Sequence, residues 1–564
     1  MEDLTRTVTL MSKSSASLLL YSVAVASFSY AVIHFVRSYI GPPMPYPYPP
    51  GPPSPSFILG HFGKLPMKKP WLAYMEMAKT YGDVIYFRSL KEHIVILNSL
   101  DAANDVLEKQ ARFTSDRPFS HAPSDLSLIA GYSVGWNDVV SLMGYSDRWR
   151  QARRTSHQNL RPEAALKYRV IQVEKVHQFL QCLISSPSSE EIFRLIGALS
   201  QAIMMSAIYG LNLEITSESN QDDIAQAAKE VADFSDRIQL PGGNTYKSVP
   251  FIHYLPSIFP FLPFSRMENS AKTTLKALKD GPFEASMKAW TSGSSSSLVG
   301  QLVSEAKNRY PDEGKSEYLA EIESIKSMGF TALAAASDTT VSATTTFFIA
   351  MSLYPQVQKK AQAELDRVLG FGRLPGFGDR TSLPYIEAIY KEVMRWHPAI
   401  PIGVPHKTTE DIFYKGYFIP KGSGVSANIW AMGHNPAEHE NPDEFIPERH
   451  LQDNGLGEPE LKSGFGNVSN ILAYGFGRRV CVGRYFADAT LWLTMACVLA
   501  TMNISRDSTN SANESVSDED LKKNLEDYYT DCSLSHLKEL PGVKVLPRLS
   551  KEELEGLFDQ DKEI

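Results

Sequence analysis

Apolar stretches separated by short polar and turn-rich segments predict a mainly helical chain with a small β region. Residues 328–353 and 483–502 are apolar over lengths typical of buried helices, and residues 384–398 form a further predicted helix. Aromatic and β-branched residues at 82–98, divided by a polar turn, predict a pair of strands. Glycines and prolines at 401–430 indicate short strands joined by turns.

The longest uncharged segment near the N-terminus is residues 14–36, bracketed by Lys13 and Arg37. About 20 apolar residues span a bilayer, so this segment predicts a transmembrane anchor preceded by residues 1–13. A cleaved signal peptide is the alternative. The lysines that follow the segment favour a body on the cytosolic side.

Proline dominates the region after the predicted anchor. Residues 42–55 are too rich in proline for a helix or a central strand, so residues 37–55 are predicted to be a stiff hinge. An SH3 ligand is the alternative for the same composition. Residues 56–564 then form the main body, in which the Ser-, Asn-, Asp- and Glu-rich stretch 505–530 predicts a flexible insert.

Two apolar segments of the body each allow two interpretations. Residues 250–264 are either a core loop or an apolar surface that dips into a bilayer. Residues 328–353 are long enough for a second transmembrane helix. Asp338 and several threonines within them favour instead the central helix of a large core, because buried polar groups need partners.

Composition and charge exclude several classes of function. Hydrophobic residues make up 43% and charged residues 21% of the 564 residues, as in ordinary globular proteins. A net charge of −8 without a basic run gives no indication of nucleic-acid binding. The four cysteines are too few and too scattered for a disulfide framework or a zinc site, which indicates a reducing compartment; they are Cys182, Cys481, Cys497 and Cys532.

The strongest chemical signal is the glycine-rich loop 474–483, Y-G-F-G-R-R-V-C-V-G. Its glycines allow close backbone approach, and Arg478, Arg479 and the start of the following helix favour the thiolate form of Cys481. The pattern therefore predicts an anionic sulfur ligand. A buried structural cysteine in a tight turn is the alternative.

The loop resembles the haem-binding loop of the cytochrome P450 family, F-x-x-G-x-R-x-C-x-G. Gly477, Arg479, Cys481 and Gly483 match at every spacing, and Tyr474 stands where the family usually has phenylalanine. The resemblance implies the P450 fold, mainly α with a small β region, and makes Cys481 the axial ligand of the iron of haem b. Tyr474 should keep the aromatic packing beside the sulfur, while its hydroxyl changes the local polarity.

By resemblance, Arg479 holds a haem propionate. Two further motifs match other family residues that have the same role. Trp149 and Arg153 have the W-x-x-x-R spacing and share one helical face. By themselves they could equally form a solvated basic face. His406 follows Pro405 where the family often has a basic residue, and a surface histidine is the alternative there.

The stretch from Ala335 to Thr340 resembles the family motif A-G-x-D/E-T-T. The resemblance implies that the helix kinks over the distal face of the haem. Asp338 and Thr339 would then guide water and protons to bound oxygen, which requires an acid and a hydroxyl. Ala336 replaces the usual glycine, and its methyl group would narrow the oxygen pocket.

Glu392 and Arg395 are spaced to form a salt bridge, which at a surface would contribute little stability. They match the family's E-x-x-R helix, and Arg449 matches the later F-x-P-x-R segment. The resemblance implies one buried Glu-Arg-Arg network that braces the haem loop. His450 stands in place of a frequent aromatic residue, a departure that we regard as minor.

The resemblance covers roughly residues 50–550, with five motifs in the family's order, and is greatest to fungal microsomal members. It implies a single-pass monooxygenase of the endoplasmic reticulum membrane with a cytosolic catalytic domain. The substrate would be a lipophilic small molecule of fungal secondary metabolism, terpenoid or polycyclic. Since no nucleotide-binding fingerprint occurs, electrons from NADPH should arrive through a separate NADPH-cytochrome P450 reductase, with cytochrome b5 as a further candidate partner.

Two rival functions remain open at the level of sequence. A haem-thiolate isomerase or dehydratase would need no reductase, and the presence of Asp338 and Thr339 counts against it. A non-enzymatic membrane protein would use both 14–36 and 328–353 as spans and would bind no haem.

Overall fold

The computed structural model describes residues 25–27, 29–30, 46–118, 138–216, 263–294, 296–453, 459–462, 468–506 and 517–560. Of the predicted anchor 14–36, residues 25–27 and 29–30 are helical, and the others lie outside the described residues. The predicted membrane-dipping segment 250–264 likewise lies outside them, apart from its last two residues.

Helices dominate the part of the chain that is described. They are α1 (Pro70–Tyr81), α2 (Leu100–Ala103), α3 (Ala111–Thr114), α4 (Asp147–Leu160), α5 (Pro162–Ala165), α6 (Arg169–Leu183), α7 (Ser189–Tyr209), α8 (Pro263–Thr291), α9 (Leu298–Arg309), α10 (Ser316–Leu353), α11 (Pro355–Leu369), α12 (Pro384–Trp396), α13 (Ile429–Gly433), α14 (Arg484–Thr501), α15 (Asp518–Lys523) and α16 (Lys551–Gln560). The strands are β1 (Val84–Ser89), β2 (Glu92–Leu97), β3 (His406–Lys407), β4 (Ile412–Tyr414), β5 (Tyr417–Ile419), β6 (Gly424–Ala427), β7 (Leu451–Asp453), β8 (Pro459–Leu461), β9 (Met502–Arg506) and β10 (Val543–Pro547).

The central helix α10 contains the predicted helix 328–353 and is a core helix. Every residue from Ser342 to Leu353 is buried by protein, so the interpretation of this segment as a second transmembrane helix is wrong. Several of its buried hydroxyls donate to carbonyls of the same helix, as where Thr344 Oγ1 donates to the Thr340 carbonyl at 2.8 Å. Polar residues could therefore be buried here without a second helix to pair with them.

Helix α7 packs along α10 and is the most membrane-like helix of the described residues. It is long and apolar enough to cross a bilayer, but 78% of its most apolar window is buried inside the protein. A capping box of Ser188 and Glu191 starts it, and Gly210, with a φ of 67°, ends it. A side chain at Gly329 of α10 would overlap the Tyr209 ring, so glycine permits the close packing of the two helices.

The main sheet lies beside the helical core with strand order β1-β2-β6-β3. The predicted strand pair at 82–98 is confirmed as the antiparallel hairpin β1–β2, in which Val84 is opposite Leu97. Strand β6 joins β2 in parallel, and β3 pairs antiparallel with β6. The sheet thus brings β3, which carries His406, close to residues 113–116.

The described part of the predicted hinge, residues 46–55, lies against this sheet and the β4–β5 hairpin. Tyr48 stacks on Tyr86 of β1 with ring centroids 4.7 Å apart. The Pro50 carbonyl accepts the Tyr86 N–H at 2.8 Å, and the Pro47 carbonyl accepts the Phe418 N–H at 2.8 Å. Residues 47–50 of the proline-rich segment are therefore docked on the body.

The C-terminal region differs from the prediction of a flexible insert at 505–530. Strand β9 reaches Arg506 and pairs antiparallel with β10, and α15 covers part of the remainder. Leu521, Leu525 and Tyr529 recur every four residues and are buried, and the Tyr529 hydroxyl lies 2.8 Å from Thr346 Oγ1. The prediction was wrong for 517–530 because polar composition concealed this apolar spacing; residues 507–516 lie outside the described residues.

Candidate active site

The loop 474–483 is held by its own backbone and by residues near α2 and α3. The Cys481 N–H donates to the Tyr474 carbonyl at 2.8 Å, which closes the loop. Gly477 has a φ of 59°, and a side chain there would overlap the Leu107 carbonyl. Gly483 is the N-cap residue of α14, so Cys481 lies just before the positive end of that helix.

The environment of Cys481 is suited to a sulfur that becomes anionic when it binds a cation. The residue retains accessible surface, although the surrounding protein desolvates its thiol. Burial raises the pKa of this thiol, while the Gly483 N–H, Arg153 and Arg484 act to lower it. The net pKa stays raised, so a metal ion would supply the stabilisation that the thiolate still lacks.

Arg479 is a buried cation with an unused donor. Its guanidinium stacks over the Trp149 ring at 4.1 Å. Its Nε donates to the Ser115 carbonyl and its Nη2 to the Met143 carbonyl, both at 2.7 Å. The buried Nη1 has no hydrogen-bond partner among the described residues, and burial lowers the pKa of the group to about 9. The site therefore fits an additional anionic group.

Arg117 is a functional candidate that the sequence did not single out. It is buried near Arg479, which together with burial itself lowers its pKa well below the ordinary value. Its Nε donates to the Ser141 carbonyl at 2.9 Å, and its Nη1 donates to the carbonyls of Val404 and Pro405 at 2.8 and 2.7 Å. The available signal was the isolated S-D-R-P sequence at 115–118, after a helix and outside any amphipathic pattern.

Helix α4 carries the two predicted residues Trp149 and Arg153, whose side chains make different contacts. Trp149 is buried against Tyr145, with ring centroids 5.0 Å apart, and against Arg479. Arg153 reaches the cysteine loop, where its Nη2 donates to the Val480 carbonyl at 2.5 Å. The alternative of a solvated basic face is therefore wrong for these two residues, since both contact the loop region.

His406 is buried rather than on the surface, which excludes the alternative of a surface histidine. Its Nδ1 lies 2.8 Å from the Thr114 carbonyl, an acceptor, so Nδ1 carries the proton. Burial and then the nearby Arg117 lower its pKa well below the ordinary value, and the ring is neutral at pH 7. Strand β3 thus brings His406 into the same cationic region as Arg117 and Arg479.

The predicted distal residues lie in the middle of α10, which continues without interruption through 335–340. Thr339 Oγ1 donates to the Ala335 carbonyl at 2.7 Å, and Asp338 is half-buried. The Ala336 carbonyl accepts a hydrogen bond from Ser200 Oγ of α7 at 2.8 Å. Ala335 is exposed although the helix around it is largely covered, so this turn of α10 is open on one side.

The predicted Glu-Arg-Arg residues do come together, and the alternative of a surface pair is wrong. Glu392 is 0% exposed and accepts from Arg395 Nε and Nη2, both at 2.8 Å, and from Arg449 Nε at 3.0 Å. His450 Nε2 lies 2.9 Å from Glu392 Oε2. The departure at position 450 is therefore not minor, because His450 is a fourth member of the network.

Burial alone would raise the pKa of Glu392, but hydrogen bonds from Arg395 and then His450 hold it well below the usual range. Burial lowers the pKa of His450, which leaves a neutral ring that donates from Nε2. The backbone N–H of Ile446 adds a further bond to Glu392 at 2.9 Å. One ionised carboxylate therefore ties α12 to the segment that precedes β7.

The hydroxyl of Tyr474 is paired with a second tyrosine. It lies 3.0 Å from the Tyr390 hydroxyl of α12, and both side chains are buried. Arg380 lies over the Tyr390 ring at 5.7 Å and forms a bidentate pair with Asp488 of α14, at 2.6 and 2.9 Å. The tyrosine that replaces the family's phenylalanine thus links the cysteine loop to the E-x-x-R helix.

A helical body that presents a desolvated cysteine loop, a buried arginine with an unused donor and a hydroxyl-bearing central helix has the architecture of a haem-thiolate protein. The comparisons with known proteins agree. The family model of cytochrome P450 matches residues 49–523. The chain therefore belongs to the cytochrome P450 family, whose cofactor is haem, and within it to the monooxygenases.

The similar proteins are fungal, as the sequence predicted. Cytochrome P450 monooxygenase COX1 of Coprinopsis cinerea is 34% identical over 86% of this chain and 90% of its own length. Cytochrome P450 monooxygenase claR of Ampulloclitocybe clavipes is 34% identical over 80% of this chain and 79% of its own length. A tryptamine 4-monooxygenase of Psilocybe cyanescens is 32% identical over 81% of this chain and 86% of its own length.

Proposed function

We propose that the protein is a haem-thiolate monooxygenase that oxidises a lipophilic small molecule of fungal secondary metabolism with O2 and with electrons from NADPH. The observation that carries the proposal is the buried, unpartnered Nη1 of Arg479, which is two residues before Cys481. On this loop the sulfur would ligate the iron of a haem, and the cationic donor would pair with its propionate carboxylates. A terpenoid or polycyclic substrate is proposed, and one similar protein is named for tryptamine, a fused aromatic amine.

In this proposal Cys481 would ligate the iron of haem b, and Arg479, Trp149, Arg153 and His406 would hold its propionates. Arg117 joins them because its guanidinium lies in the same buried cationic region. The haem supplies the oxygen-activating chemistry when it is bound. Around it, the closed loop that includes Tyr474 and Gly483 orients the sulfur.

Asp338 and Thr339 have the role of moving protons at the distal side. Thr339 donates its hydroxyl proton to the Ala335 carbonyl at 2.7 Å and can rotate it toward the open side of this turn. The half-buried Asp338 provides a carboxylate that can take up and release a proton there. An isomerase or dehydratase would not need this pair, so the pair supports oxygen chemistry over that alternative.

A reductase is the proposed electron donor, and its docking site is a basic surface outside the cysteine loop. This basic surface consists of Arg150, Arg154, Arg478 and Arg484. The guanidinium carbons of Arg150 and Arg478 lie 5.4 and 5.8 Å from the centroid of the Tyr145 ring. Arg484 Nη1 donates to the Cys481 carbonyl at 2.9 Å. An acidic partner would be drawn to this surface by charge complementarity. Cytochrome b5 is proposed as a further donor at the same surface.

Charge reversal tests this docking site. Arg478→Glu should slow the reduction of the haem by NADPH-cytochrome P450 reductase and weaken the dependence of the rate on salt. Lys79→Glu, which reverses an exposed charge on α1, is the matched control. Equal reduction rates for the two variants would exclude the basic surface as the docking site.

The proposed location is the endoplasmic reticulum membrane, with the body on the cytosolic side. Besides the predicted anchor 14–36, an exposed apolar surface follows the docked hinge; it consists of Phe57, Ile58, Leu59, Phe62 and Met67. The exposed Lys64 and Lys68 accompany it, a combination suited to the interface of a bilayer with anionic lipids. Protease treatment of intact microsomes should degrade the body and leave only the anchor protected.

The first test of the function is the absorption spectrum of the reduced, carbon-monoxide-bound protein in membranes. The wild type and a Cys182→Ala control should show the red-shifted Soret band of a thiolate-ligated haem, and Cys481→Ala should lose it. A wild type that binds no haem would overturn the proposal. If haem is bound but turnover is independent of NADPH, the isomerase or dehydratase alternative is correct.

A further inference from the structure

One face of α10 carries hydroxyl side chains in a row that leads from the surface toward Asp338. Ser324, Ser327 and Thr331 follow one another at spacings of three and four residues, and Ala335 and Asp338 continue the row at the same spacings. Residues three and four apart lie on one face of a helix, so these residues form a stripe about 20 Å long. Side-chain hydroxyls cover the half nearest Glu323, and between Thr331 and Asp338 the stripe carries only the methyl group of Ala335, so water alone would bridge that part.

Two hydroxyls in this stripe are buried without a partner. Ser324 and Ser327 are 5% and 0% exposed, and neither Oγ has a hydrogen-bond partner in the described part of the chain. Elsewhere on α10, by contrast, Ser337 and Thr344 donate to carbonyls of their own helix, both at 2.8 Å. An unpaired buried hydroxyl costs about 1–3 kcal/mol, so two successive ones indicate a site that water completes.

The wall beside these hydroxyls is polar as well. Thr331 Oγ1 accepts the backbone N–H of Val140 at 2.9 Å and donates to the Ser327 carbonyl at 2.6 Å. Water molecules along the stripe therefore have hydroxyl and carbonyl partners, which apolar helix faces do not offer.

The two ends of the stripe have the properties of an entrance and a destination. At the outer end Lys279 Nζ joins Glu323 Oε2 and Asp138 Oδ2, both at 2.7 Å, and the Glu323 side chain is 49% exposed. At the other end Ala335 is exposed and Asp338 is half-buried. The stripe thus connects a carboxylate in contact with solvent to a carboxylate beside the proposed reaction site.

We propose that this stripe is a hydrated proton route from Glu323 to Asp338. The inference rests on the proposed function, because it names the source of the protons that oxygen reduction consumes. In each transfer a hydroxyl or water oxygen accepts a proton from the surface side and releases its own proton toward Asp338. Each group in the route is left as it began, and no electrons move along it.

The variant Ser327→Ala tests the route, and Ser352→Ala is its control. Ser352 is also buried on α10, but its Oγ donates to the Ile349 carbonyl at 2.8 Å, away from the stripe. Both are measured as full-length, haem-loaded enzymes with reductase and NADPH, without substrate. The readouts are the fraction of electrons released as hydrogen peroxide, the solvent deuterium isotope effect on NADPH oxidation, and the thermal unfolding midpoint.

Slow proton delivery lets reduced oxygen leave as peroxide before it is fully reduced to water. Ser327→Ala should therefore raise the peroxide fraction at least twofold and change the isotope effect, whereas Ser352→Ala should change neither. Ser327→Thr, which keeps a hydroxyl, should restore the wild-type values. A purely structural role of Ser327 would move the unfolding midpoint without moving these ratios.

A dry site around Ser327 would give a different result. If the site around Ser327 is dry, alanine removes an unsatisfied hydroxyl, so the unfolding midpoint should rise while the peroxide fraction and isotope effect stay unchanged. That outcome overturns the route and leaves the proposed function intact. A wild type without the carbon-monoxide spectrum or without NADPH oxidation overturns the proposed function, and the route fails with it.

Discussion

Replacing Arg395 by methionine isolates the contribution of the buried carboxylate network. The arginine donates twice to Glu392, and it also donates to the carbonyls of Gly433 and Pro442, both at 2.8 Å, and of Glu444 at 3.1 Å. Methionine keeps much of the packing volume but none of these donors. The Glu392 carboxylate would remain 0% exposed with fewer hydrogen bonds to balance its burial.

The expected loss of unfolding free energy follows from the hydrogen bonds that each variant removes. Breaking a buried ion pair by removing one partner costs about 3–5 kcal/mol, and we expect Arg395→Met to fall in that range. Arg449→Met removes one bond to Glu392, at 3.0 Å, and exposed bonds to the carbonyls of Glu440 and Asn441, at 2.9 and 3.2 Å, and should cost about 1.5–3 kcal/mol. In the control Arg373→Met, the lost pair with Asp379 involves an arginine whose side chain is 50% exposed, so less than about 1 kcal/mol is expected.

Urea unfolding of the haem-loaded, full-length variants, followed by tryptophan fluorescence and by Soret absorbance, measures the ranking. The folded-state pKa of Glu392 is depressed, so its contribution should be complete above about pH 4.3, the ordinary value for glutamate, and should be lost as the pH falls further. If Arg395→Met unfolds at the same urea concentration as Arg373→Met, the network does not brace the loop. A larger loss for Arg449→Met than for Arg395→Met would also refute the reasoning.

Three further predictions follow from buried polar groups. Burial raises the pKa of Glu526 to about 7, so the protein is most stable with respect to this group below about pH 4, and this stability is lost as the pH rises through 7. Because glutamine stays neutral, Glu526→Gln should raise the thermal unfolding midpoint more at pH 8 than at pH 5. Tyr474→Phe leaves the Tyr390 hydroxyl unpaired and should cost about 1–3 kcal/mol in urea unfolding, whereas replacing both tyrosines by phenylalanine should restore most of the loss. Arg117→Met should speed the transfer of haem to an excess of apoglobin, and Arg373→Met should not.

The parts of the site that sequence could predict are those whose residues lie close together in the chain. The loop around Cys481 is ten residues long, so its glycines, arginines and helix start are all visible as one local pattern. The hydroxyls and Asp338 of α10 are likewise on one helix. Helices and the β1–β2 hairpin were predictable for the same reason, since periodicity and turns are local properties.

The contacts that sequence could not predict join residues far apart in the chain. His406 meets the Thr114 carbonyl across 292 residues, and His450 meets Glu392 across 58. The burial that distinguishes Arg117 from a surface arginine is created by residues 141 and 404–405, which no local pattern connects. Segment 517–530 shows the same limit, because its three buried apolar residues pack against distant parts of the chain, as where Tyr529 contacts Thr346 and stacks on His397.

The apolar helix α7 has a consequence for synthesis of the protein in the cell. Its main partner, α10, ends at Leu353, about 140 residues after α7 ends at Tyr209. At a translation rate of about 5–20 residues per second, α7 emerges from the ribosome roughly 7–30 seconds before α10 is complete. During that interval a segment apolar enough to enter a bilayer has nothing to pack against along one face. Its nascent chain therefore needs protection from membrane insertion and aggregation before the core can close.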